Sequence, residues 1–160
     1  MEGVTALSRR ALYALTGAVS ACLVAATLAT AAGSLVRTAH NGKLNATVLV
    51  DRNGHTLYDL SVERHGRFIC TTKFCLSLWH PFVVARGTKP AGTVPLGTIK
   101  RPDGHIQVTY KGAPLYTFVQ DAKPGDVKGE GFMDVGVWNA AATSAAKTTP
   151  APSPSGYRYP

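Results

Sequence analysis

Two ten-residue stretches constrain this chain more than anything else in it. They are GHTLYDLSVE at Gly54–Glu63 and GAPLYTFVQD at Gly112–Asp121, 58 residues apart. Gly54, Leu57, Tyr58 and Glu63 recur as Gly112, Leu115, Tyr116 and Asp121, and each copy is followed by a tryptophan, Trp79 and then Trp138 with one residue added. One offset shared across this many positions marks an internal duplication. A half of about 45 residues lies near the lower limit for an independent core, so the two halves are expected to share one sheet system. In a strand Leu and Tyr point to opposite faces, so one of the two should bury in each half, with the tryptophans closing each half from its other end.

The flanks of the repeats read as β structure. ATVLVD, the turn RNG and HTLYDL predict a hairpin over Thr47–Leu60, because Asn-Gly between two β-branched runs tolerates the positive φ of a tight turn. LGTIK, RPDG, HIQVTY, KG and APLYTFV predict a meander, in which Ile106, Val108 and Tyr110 alternate with polar neighbours and Pro114 belongs at a strand start or edge. TKFCLSLWHPF is the one place for a helix, two turns at most. VGVWNAA predicts a closing strand, and the Ala/Thr/Ser/Pro composition from Ala141 onward predicts a disordered tail.

The amino terminus places this domain in a compartment. Arg9 and Arg10 precede Ala11–Val36, a stretch without a charge, which is the pattern of an export signal and is long enough to span a bilayer. Three fates fit it: cleavage after Ala31, lipidation of Cys22 within VSAC, or retention as an anchor with the arginines inside. All three put the body outside the cytoplasm, secreted or held at the outer face of the plasma membrane. There Cys70 and Cys75 of CTTKFC most simply form one disulfide, contributing about 2–3 kcal/mol by closing a short loop. The competing reading makes these cysteines, with nearby histidines, a redox couple or metal ligands.

With these residues in view, the chain resembles the bacterial secreted-repeat proteins of unknown function, many of them predicted lipoproteins, which carry a Tyr-x-(Phe/Trp/Tyr)-x-x-Asp motif. Tyr116–Asp121 matches that motif in full, with Phe118 in the aromatic place, and Tyr58–Glu63 is a degenerate copy. The paired cysteines ahead of Trp79, and the segments RPDGHIQVTYKGAPLY and KPGDVKGEGFMDVGVW, follow the same family over about Leu44–Ala140. The resemblance implies an envelope-associated or exported β-rich module with no established reaction, cofactor or ligand.

The expected organisation is therefore a signal or anchor over 1–36, a mostly β, antiparallel domain over 44–140 built from halves near 44–85 and 98–140 with at most one short helix, and a tail over 141–160. Seventeen Lys and Arg against nine Asp and Glu give a net charge of +8, which favours anionic envelope polymers or a membrane surface as partner. Scattered charge in this compartment argues against nucleic acid. No acid sits in a recognised catalytic motif, so a binding or structural module without cofactor or bound metal is expected. An envelope metal or redox protein and an enzyme on wall polymers are the rival readings. Asp121, Asp126 and Glu130 in a Gly-rich loop lack EF-hand spacing, and His55 and His105 follow equivalent-looking turns where they could meet.

Overall fold

The computed structural model describes residues 33–143. The N-terminal helix expected from the apolar run, Cys22, the cleavage position after Ala31 and residues 144–160 of the tail lie outside the described residues. Among the described residues the fold consists of three antiparallel sheets and one short helix. Strands β1 (Val36–Asn41) and β2 (Ala46–Asp51) form a ribbon in register Val36↔Asp51 to Asn41↔Ala46. The central sheet runs β10-β3-β9-β4, from β10 (Trp138–Ala140), β3 (Tyr58–Leu60), β9 (Tyr116–Phe118) and β4 (Trp79–Pro81). A third sheet places β7 (Ile106–Tyr110) between β5 (Val83–Val84) and β6 (Leu96–Lys100), with β8 (Ala113–Pro114) also paired to β7.

The helix α1 (Lys73–Leu78) falls where expected and ends ahead of Pro81. Thr72 caps it, its hydroxyl accepting from the Cys75 N–H at 3.2 Å. The Cys70–Cys75 disulfide, with its Cα atoms 5.4 Å apart, ties the preceding loop to this first turn.

The Thr47–Leu60 hairpin does not form as expected. Val50 and Thr56 meet in a single bridge, while β2 takes β1 as its ladder partner and β3 leaves for the central sheet. Val48, Leu49 and Val50 are all buried, so β2 has core on both faces and needs a cover that one hairpin cannot supply. That requirement extends the folded domain at both ends. Val36, placed by composition in the leader, is fully buried in β1, and Ala141, placed in the tail, is 1% exposed and exchanges backbone bonds with Leu49 and Leu57.

The duplication is written in the hydrogen bonds. In the first half Leu57 N–H donates to Leu49 C=O, Ala141 N–H to Leu57 C=O and Leu49 N–H to Ala141 C=O, at 2.7–2.9 Å. In the second half Leu115 N–H donates to Val108 C=O, Phe82 N–H to Leu115 C=O and Val108 N–H to Phe82 C=O, at 2.8–2.9 Å. The same triangle is built twice, and each time its third corner comes from the other half. Gly54 and Gly112 open the two copies at φ 88° and 78°, the left-handed region that glycine enters without a Cβ penalty.

Candidate functional site

Leu and Tyr of each repeat do face opposite ways, but both bury. Leu57 and Leu115 enter one apolar cluster with Val36, Leu49, Val108 and Tyr110, whereas Tyr58 and Tyr116 enter a second with Trp79, Trp138, Phe118 and Phe132. All four repeat side chains are 0% exposed, because the central sheet has a layer on each side.

The tryptophans likewise do not close separate halves. Trp138 pairs with Leu60 on the first half's strand, and Trp79 with Phe118 on the second half's strand. The two indoles stack on each other with centroids 3.8 Å apart and planes 6° from parallel. Tyr58 meets Trp79 edge-on at 5.4 Å, and Tyr116 meets Trp138 edge-on at 5.1 Å. Strands β3 and β9 share only the pair Tyr58↔Tyr116. A backbone hydrogen bond nets about 1 kcal/mol, whereas burying a ring of this size is worth about 4–6 kcal/mol before ordering costs. Side-chain packing therefore adds to the exchanged ladders, β10 on β3 and β4 on β9, in holding the halves together.

The acids that end each repeat cross over in the same way. Tyr58 Oη donates to Asp121 Oδ2 at 2.6 Å, and Tyr116 Oη to Glu63 Oε2 at 2.7 Å. Each carboxylate spends its other oxygen on the loop that follows it. Glu63 Oε1 accepts from the N–H groups of Ile69 and Cys70, and Asp121 Oδ1 accepts from that of Lys128. The next residue, Gly129, brings its N–H to 3.4 Å from Tyr58 Oη, and a Cβ there would stand 2.6 Å from the Trp79 ring, so the loop can lie against the stack only with glycine at this position. Burial pushes both phenols above the ordinary tyrosine range, and their carboxylate partners push the same way. Both therefore remain hydrogen-bond donors at neutral pH.

One half carries an addition that the other lacks. Arg101, 2% exposed, donates to Gln107 Oε1 at 2.6 Å, Tyr116 Oη at 3.0 Å, Cys70 C=O at 2.9 Å and Asp103 Oδ2 at 3.1 Å, with its guanidinium 5.0 Å from the Phe68 ring centre. Sequence reasoning missed Arg101 and Gln107. Arg101 opens an RPDG turn, where arginine is ordinarily solvated, and Gln107 sits at what reads as an outward position of an alternating strand.

The remaining candidates are dispersed. The ring of His55 lies 3.5 Å from Asp51 and that of His105 lies 3.1 Å from Asp103, each beside the acid of its own turn. Asp121 is spent on Tyr58, Asp126 lies 3.7 Å from Lys128, and Glu130 accepts from the Ala140 N–H. Among the described residues no three of His, Cys, Asp and Glu gather as metal ligands.

Burial raises the carboxyls of Asp59, Asp121 and Glu130 above their ordinary values, against the opposing pull of Arg64, the Tyr58 hydroxyl and the Ala140 N–H respectively. The native state thus binds these protons more tightly than the unfolded chain, and their stabilising contribution is present in acid and lost as pH rises through the raised values. For Asp103 and Asp126 burial also pushes up, but it is outweighed by hydrogen bonds from His105 and Arg101 and by the charge of Lys128, so their contribution is lost only as pH falls below 3.8. The phenols act at the other end, costing stability as pH rises above 10.0, where unfolded tyrosine ionises. Urea midpoints at pH 5 are expected to equal or exceed those at pH 7 and to decline only toward the two extremes. A midpoint that drops between pH 7 and pH 5 would show that these carboxyls are not held as described.

A fold of this kind defines a class: a duplicated, disulfide-clipped β module that turns its repeat motif inward. Residues 97–142 match the family described as a secreted repeat of unknown function. That match spans β6 to β10, and the bonds set out above show the same unit built again from the first half. No curated protein matches the chain, and no solved structure does either.

Proposed function

We propose that the protein is an extracytoplasmic envelope module that binds a phosphodiester-rich anionic partner through its surface, while the duplicated motif serves as scaffold. One observation carries this reading. Of the thirteen Lys and Arg among the described residues all but Arg101 are exposed, whereas of the eight Asp and Glu only Asp103 is. Asp51, Glu63, Asp121 and Asp126 are buried, accepting hydrogen bonds from tyrosine or backbone N–H groups or facing a lysine. The fold thereby hides its negative charge and displays its positive charge, so solvent meets a more basic surface than the formal charge states. Such a field concentrates anionic polymers or headgroups and weakens as salt screens it.

The family's description as secreted agrees with an extracytoplasmic address and names no ligand. The test is capture of the full chain on immobilised poly(glycerol phosphate) against neutral dextran, and on vesicles with and without phosphatidylglycerol, at low and high salt. Binding to the phosphate-bearing surfaces that fades as salt rises is the expected result. Equal capture by neutral and anionic surfaces, or binding indifferent to salt, overturns the reading.

A further inference from the structure

Three surface concavities adjoin where the described chain begins. Gly33, Ser34, Arg37 and Arg52 line one of about 230 Å³, and Gly33 and Arg52 reappear in a second of about 340 Å³ that includes Lys89. Arg37 also borders a third of about 480 Å³ beside His40. Among the described residues no Asp or Glu lines any of the three. The ion pairs among the described residues engage Arg64, Arg101, Lys128 and two histidines, leaving Arg37, Arg52 and Lys89 outside them. Arg37 is laid across the ribbon by a 2.6 Å bond from Nη2 to the Arg52 carbonyl, which brings the two guanidinium-bearing positions together.

The chain at this face is held firmly. Leu35 N–H donates to Ala91 C=O at 2.8 Å, Thr93 N–H donates to Val36 C=O at 3.1 Å, and the Val36 side chain is fully buried. The uncharged run Ala11–Val36 thus passes into the fold without a polar spacer: its last residues are already docked, and Ala11–Gly33 still has the roughly 20 residues a bilayer span requires. Between Gly33 and Arg37 stand three residues, so Arg37 lies within about 13 Å of extended chain from Gly33 and stays near the bilayer surface.

We infer that the face bearing Arg37, Arg52 and Lys89 around Gly33 docks on the headgroups of an anionic phospholipid bilayer. This rests on the proposed recognition of phosphodiester-rich surfaces and assigns it a place and an occupant. A wall polymer could meet any of the exposed cations, whereas only a bilayer that holds the apolar run must meet these three.

The test reconstitutes the full chain in vesicles of phosphatidylcholine alone or mixed with phosphatidylglycerol, and follows modification of arginine by phenylglyoxal and of lysine by acetylation, residue by residue, by mass spectrometry. Arg37, Arg52 and Lys89 are expected to react about fivefold more slowly in the anionic vesicles, the size of attraction one cation feels at such a headgroup layer, and to regain reactivity in high salt. Lys100, Lys111 and Lys123, which line none of the three concavities, should react alike in both. Equal reactivity of the three cations in both vesicle types overturns the inference, as does protection that falls on Lys100, Lys111 and Lys123 instead. If poly(glycerol phosphate) still captures the chain in a salt-sensitive way, that failure concerns this face alone. If it does not, the broader reading fails as well.

Discussion

Replacing Arg101 with methionine is expected to lower stability by about 3–5 kcal/mol, the usual cost of stripping one partner from a buried charged network. The guanidinium is almost wholly enclosed and satisfies Gln107, Tyr116 and the Cys70 carbonyl together. Because the Tyr116 oxygen accepts from Arg101, its hydroxyl proton is directed to Glu63, a carboxylate with no exposed surface. Methionine fills comparable volume but leaves three acceptors unpaired and Glu63 without the cation that reaches it through Tyr116. Urea unfolding followed by far-UV circular dichroism measures the loss. Adding Glu63→Gln to Arg101→Met should recover part of it, since the amide keeps an oxygen for the Ile69 and Cys70 N–H groups and removes the stranded charge. A single variant that loses less than about 1 kcal/mol, or a pair whose effects simply add, would show that Arg101 is not the counter-charge of this network.

Trp138→Ala is the second large effect, about 3–5 kcal/mol for a buried tryptophan whose site cannot collapse to fill the space. The residue is 0% exposed, stacks on Trp79, meets Tyr116 edge-on and pairs with Leu60. Since Trp138 belongs to one half and its ladder partner to the other, the damage cannot stay in one half. The variant is expected to unfold in a single transition at lower denaturant, with Trp79 fluorescence and far-UV circular dichroism coincident. Two separate transitions would mean that the halves fold independently and that the exchanged pairing contributes little.

The exposed and buried charges explain why the surface could not be read in advance. Counting Lys and Arg against Asp and Glu shows that the chain is basic, but not that its acids are turned inward. Glu63 and Asp121 were recognisable as the acids ending two equivalent repeats. That each takes the other half's tyrosine was not recognisable. Neither was Arg101, whose burial depends on Gln107, Cys70 and Tyr116 arriving from three other segments. Arg37, Arg52 and Lys89 are likewise far apart along the chain and become one face through the β1–β2 ribbon and the docking of Leu35 and Val36 on the loop at Ala91–Thr93.

What the sequence by itself determined is the local and the repeated: antiparallel β structure from period-two patterns between glycine turns, one short helix ahead of Pro81, a disulfide loop, and the equivalence of two halves from one offset. These follow from backbone preference and side-chain alternation over a few residues. Only the tertiary structure decided that each half is completed by the other's strands. A duplication makes the partners chemically alike, so pairing within a half or across halves would satisfy the same pattern of apolar and polar positions. The choice lies in long-range packing: the exchanged arrangement brings both indoles into one stack, gives each tyrosine an acid, and covers both faces of β2, and none of these energies is visible along a single stretch of chain.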